Sequence, residues 1–117
     1  MTKPKAIKIV GDVFPDVTNS NSIFSNISLT ESWWIEIENS KFKELLYFIL
    51  NDKRHRKLYL FKIPANSIVT PEKHFQQRND NYRRKCSDIF IPTTGTFKER
   101  NGFDFSKYFL KVIPYSA

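Results

Sequence analysis

The chain has 117 residues, with 19 Lys+Arg against 12 Asp+Glu, a formal net charge of +7, 40% hydrophobic residues and a single cysteine, Cys86. The length suits one domain spanning 1–117, and the apolar content is enough for a buried core, which excludes a disordered chain. One cysteine excludes an internal disulfide framework and multi-cysteine zinc sites, and the absence of any run of 18 apolar residues excludes a transmembrane helix.

At the N-terminus, 5–14 contains Ile7 and Ile9 in alternation and predicts a first strand ending near Gly11. Gly11, Asp12 and Pro15 break the apolar pattern too early for a signal peptide, so a cytoplasmic protein is expected. Residues 15–30 are rich in Asn, Ser, Asp and Thr, with Val17, Ile23, Phe24, Ile27 and Leu29 widely spaced. They predict a loop, or a short irregular edge strand, whose polar side chains bond their own backbone.

Residues 33–38 alternate cleanly, with Trp33, Ile35 and Ile37 on one face and Trp34, Glu36 and Glu38 on the other. A half-buried strand follows. Phe42, Leu45, Leu46 and Ile49 stand at i, i+3, i+4 and i+7 and predict the main helix over about 40–51. The basic run Lys53, Arg54, His55, Arg56 and Lys57 would then lie just past the helix C-terminus, where positive charge favours the dipole.

Residues 58–63 are apolar on both faces apart from Lys62 and predict a central strand stopped by Pro64. Thr70, Pro71 and Glu72 form a helix-start pattern, predicting a short second helix over about 71–79. Residues 87–92 read as another strand, Asn101-Gly102 as a hairpin turn, and 103–113 as a last strand with a helical turn at 105–109. The expected fold class is therefore α+β: one domain, about five strands in a mixed or antiparallel sheet, and one main helix.

Charge is the main functional lead. The net surplus is +2 over residues 1–57 and +5 over 58–117, and such a field draws polyanions. Lys53, Arg54, Arg56 and Lys57 are candidates for phosphate contact. So are Arg78, Arg83, Arg84 and Lys85. Gln76, Gln77 and Asn79 carry the amide groups that pair with base edges, and Phe75 and Tyr82 are candidates for stacking unpaired bases. The first expectation is a small nucleic-acid-binding protein, non-enzymatic, with no cofactor, on DNA or RNA. The alternatives are an interaction module or inhibitor docking an acidic protein through a basic face, and a small nuclease with a dispersed site. No membrane partner is expected.

The nuclease alternative lacks its usual sequence support. Nowhere does an Asp or Glu precede a Lys by two positions, as a Mg²⁺-dependent restriction-type site requires. His74 and Arg78 would lie one turn apart on a helix and could serve a metal-free ribonuclease. Cys86 follows three cations that would activate its thiol. Three glycines, none in a phosphate-loop pattern, exclude P-loop and dinucleotide-binding motifs.

Overall fold

The computed structural model describes residues 1–28 and 30–116. Its elements in chain order are helix α1 (Lys3–Gly11) and strands β1 (Ser22–Asn26), β2 (Ser32–Glu38), β3 (Leu46–Asp52), β4 (Lys57–Ile63), β5 (Gln76–Asn79), β6 (Lys85–Pro92) and β7 (Phe109–Pro114). Short 3₁₀ turns occupy Asn39–Lys43, Pro71–Lys73 and Ser106–Tyr108. The strands form a four-stranded sheet, ordered β1-β3-β4-β7, and a three-stranded sheet, ordered β2-β6-β5. Among the described residues only the β1–β3 pair is parallel.

The expectation of an α+β fold with one main helix and five strands is overturned by these seven strands in two sheets. No helix forms over 40–51. Phe42, Leu45, Leu46 and Ile49 have helical spacing, but they sit within an apolar run whose every residue from Leu46 to Asp52 is buried. A strand covered on both faces needs no alternation, and Tyr47, Phe48 and Ile49 are residue types that favour strands. The basic run 53–57 consequently has no helix dipole to complement; it forms the β3–β4 hairpin tip and the first residue of β4.

The strand expected over 5–14 is instead α1. Thr2 caps it, accepting a bond from the Lys5 backbone N–H, and Pro4 sits in its first turn. Ala6 and Val10, one helical turn apart, are its buried residues. The segment 15–30, expected as a loop or a short irregular edge strand, contains β1 at the edge of the larger sheet, while Leu29 lies outside the described residues. The helix expected over 71–79 shrinks to the turn Pro71–Lys73, and Gln76–Asn79 is a strand.

The two sheets face each other across the main core. Trp33, Ile35 and Ile37 of β2 and Ile89 and Ile91 of β6 meet Phe48, Leu50, Phe61 and Ile63 of β3 and β4. Phe97 and Phe105, from the connection between β6 and β7, join the same cluster. On its other face the larger sheet carries α1: Ala6 and Val10 pack with Tyr47, Ile49, Leu58, Leu60 and Ile113. The layers are thus helix, sheet, sheet, which accounts for β3 being buried on both sides. No helix among the described residues is long and apolar enough to cross a membrane.

Candidate nucleic-acid interface

Register places the two basic runs at opposite ends of the sandwich. The β3–β4 tip adjoins the start of β2, where Arg54 donates to Glu31 at 3.0 Å. The β5–β6 tip lies beyond the other end of β2, where Glu38 pairs with Cys86 and Asn79 with Lys85. Six strand steps from Ser32 to Glu38, at roughly 3.3 Å each, set the ends about 20 Å apart. The two runs therefore form no continuous patch.

The run at the β3–β4 tip is partly neutralised. Arg54 pairs with Glu31, and His55 Nδ1 lies 2.7 Å from the buried Asp52 carboxylate. Lys53, Arg56 and Lys57 are exposed and, among the described residues, in no ion pair.

Several expected contact residues have structural duties instead. Phe75 is buried in the core, against Phe42, Phe103 and Phe105, and cannot stack a base. Gln77 closes a ring of bonds: its Nε2 donates to Ser87 Oγ (2.9 Å), Ser87 Oγ to Asn39 Oδ1 (2.6 Å), and Asn39 Nδ2 to Gln77 Oε1 (2.7 Å). Arg78 donates through Nε to Asp88 at 3.1 Å and also pairs with Glu36. Gln76 accepts from Arg100 Nη2 at 2.6 Å. Arg84 takes up Asp80 (2.6 Å) and Glu38 (3.5 Å).

Asp80 organises the β5–β6 tip. Its carboxylate accepts from the Tyr82 and Arg84 backbone N–H groups and from the Arg84 guanidinium. The Arg84 backbone bond first, and its side chain with the Tyr82 N–H after it, hold the Asp80 carboxyl below the usual carboxylate range. Tyr82 is left 80% exposed, with the Arg84 guanidinium 5.1 Å from its ring centroid. Asn79, Arg83 and Lys85 are exposed beside it. Burial pushes the Cys86 thiol up, so the neighbouring cations do not activate it.

The other candidate chemistry also changes. His74 and Arg78 share no helix, because the segment between them becomes β5. Glu36 and Glu38 do share an outward face of β2, but each faces an arginine across the sheet. That face also carries Trp34, half exposed, stacked on Phe90 at 6.2 Å and 4°, with Arg100 4.0 Å over the opposite ring's centroid. Its arginines and carboxylates neutralise one another.

Sequence reasoning missed the gathering of lysines at the β5–β6 end. Lys41 and Lys43 stand on the turn that joins β2 to β3, and Lys73 on the turn packed beside it. Lys62 pairs with Tyr47 near the start of β3. Lys107 precedes β7, and it lines one open cleft with Lys73 and His74. Lys3 joins the same end, donating its ammonium to the Asn19 carbonyl at 2.9 Å, two residues before the Asn21 carbonyl that accepts the Tyr47 N–H; burial first, and the nearby Lys41 ammonium second, lower its amine from the ordinary range. Among the described residues every ion pair uses an arginine or His55, and no lysine takes part in one.

Two clefts lie along this end. The larger, about 530 Å³, is lined by Lys73, His74, Phe103, Asn101 and Lys107 among others. The smaller, about 320 Å³, is lined by Glu72, Gln77, Arg78, Asn79 and Lys85. The segment 72–79 borders both. No protein-family model, no curated protein and no solved structure matches this chain.

Proposed function

We propose that this chain is a non-enzymatic nucleic-acid-binding protein whose interface is the end of the sandwich carrying the β5–β6 hairpin. The observation behind the reading is the gathering there of cations from six separate elements that have no ion-pair partner among the described residues, against four carboxylates not engaged by arginine, Asp16, Glu44, Glu72 and Asp104. Like charges held together cost stability unless a polyanion offsets them. Exposed Tyr82 adds a ring on which a base can stack, beside Arg83 and Lys85. The run 53–57 is left as a secondary contact at most, because it faces away. A cytoplasmic location accompanies this reading and suits an unpaired cysteine.

Salt-titrated anisotropy on DNA and RNA of the same sequence tests it. Affinity should fall steeply with salt, by a log–log slope of about 0.9 per phosphate neutralised on duplex DNA. Reversing Lys41, Lys73 and Lys85 together to Glu should weaken binding at least about tenfold and flatten the slope. Reversing Lys53 and Lys57 should do much less. A flat salt dependence, or equal losses from the two ends, overturns the proposal. An acidic protein that co-purifies with the chain, with no affinity for either nucleic acid, favours the docking alternative.

A further inference from the structure

Resting on that reading, we infer that the cleft between 73–75 and 101–107 seats one unpaired nucleotide, its base against His74 and Phe103 and its phosphate between Lys73 and Lys107. The cleft volume of about 530 Å³ falls within the range of small-molecule sites, roughly 300–1,000 Å³. Its aromatic wall is fixed in place. The Phe103 ring packs 5.3 Å from Phe75 and 4.8 Å from Phe105, both buried, so it cannot retreat from solvent. The exposed His74 ring lies 4.9 Å from Phe103 and extends that wall outward.

The charge is arranged to match. Lys107 holds its ammonium over the face of the Phe103 ring, 5.0 Å from its centroid, and over Tyr108 at 5.2 Å, so this cation stands on the aromatic wall itself and swings aside to the phosphate when a base stacks on Phe103. Lys73 stands on the other wall. Neither lysine has an ion-pair partner among the described residues. The carboxylate in the cleft, Asp104, accepts the Ser106 backbone N–H at 2.8 Å; the Ser106 bonds first, and Lys98 and Lys107 after them, hold it below the usual carboxylate range, so it offsets part of the positive charge there. Exposed Asn101 offers an amide for a base edge. A paired base has both faces and its Watson–Crick edge engaged, so an aromatic wall with adjacent cations selects an unpaired one. The second cleft, with Asn79 and Lys85, borders the same 72–79 segment. A strand leaving the first cleft meets further amide and cationic groups, then Tyr82. That continuity favours a nucleotide within a strand over a free one.

The test uses a labelled oligothymidylate, a blunt duplex of equal length, adenosine monophosphate and inorganic phosphate. Wild type should bind the single strand at least about tenfold tighter than the duplex. His74→Ala, a change at an exposed side chain, should lose about 5- to 30-fold on the single strand with the salt slope unchanged, because stacking carries no charge. Lys107→Gln should reduce the single-strand slope by about 0.7. Steep, salt-dependent binding that neither substitution alters overturns the nucleotide seat and leaves the basic interface standing. No salt-dependent binding of either oligonucleotide overturns the interface itself. Adenosine monophosphate binding without strand binding supports the seat and makes a free nucleotide its occupant. Inorganic phosphate competing as well as the nucleotide overturns base recognition.

Discussion

Single residues show how much of a site the sequence makes legible. Tyr82, Arg83 and Lys85 are exposed and available, as their polar neighbours suggest. Phe75, Gln77 and Arg78 are equally suggestive in sequence, but their side chains are taken up by Phe103, Ser87 and Asp88. Those partners lie 10 or more residues away, so no local pattern reveals them. Glu99 is a stronger case: it is buried at 2% exposure, and its carboxylate accepts the Phe90 and Asn101 backbone N–H groups. Asp80 allows a test at this scale. Its folded-state pKa is depressed, so the stability it contributes is fully present above the unfolded value of about 3.9 and is lost as pH falls through the folded value. The Tyr82 and Arg84 amide resonances should therefore hold steady down to about pH 4 and shift below it, in one titration step. Asp80→Asn should abolish that step. A Tyr82 or Arg84 shift that persists in the variant would assign it to another group.

Among the elements, three strands were legible in kind: β2, β4 and β6 carry the alternation or the apolar run that their burial requires, whereas β7 keeps only the second half of the strand expected over 103–113 and its burial does not alternate. The hairpin between β3 and β4 was not. Its tip has no glycine, and the left-handed position that closes it is held by Arg56 at φ 54°. The usual turn signal, Asn-Gly or Asp-Gly, is absent. Without it, the run from Leu45 to Leu50 is equally consistent with a buried helix. The structure separates the two. A helix with the stripe Phe42, Leu45, Leu46 and Ile49 would bury Leu45 and expose Phe48. The strand leaves Leu45 half-buried and buries Phe48 completely, against Phe105 at 5.8 Å. Phe48→Ala should cost about 3–5 kcal/mol, while Leu45→Ala should cost less than about 1.5 kcal/mol, since a half-buried side chain leaves a smaller void. Urea denaturation of the two variants decides the matter, and a larger loss at Leu45 would restore the helical stripe.

At the scale of the whole molecule, the net charge was legible and its placement was not, because Lys3, Lys41, Lys62, Lys73, Lys85 and Lys107 converge only through the strand order. Two electrostatic terms then oppose each other. The arginine ion pairs stabilise and weaken with salt, yet those of Arg84 are exposed, where solvent screens them and they contribute little. The Arg78–Asp88 pair sits on a carboxylate with 7% of its surface open, where screening reaches poorly. The lysine cluster destabilises and, Lys3 apart, is exposed, so salt relieves it. Raising salt from about 0.01 M to 0.1 M shortens the screening length from about 30 Å to about 10 Å, well below the molecule's shortest extent of 29 Å. Screening should therefore relieve more repulsion than attraction, and the urea midpoint should rise with salt at constant m. Lys41→Gln should raise the midpoint at low salt and flatten the response, because it removes one of the charges bearing on Lys3. Lys53→Gln, at the far tip, should change the salt response much less. A midpoint that falls as salt is added would mean that the arginine pairs dominate, and that the lysines stand far enough apart to place no strain on the fold.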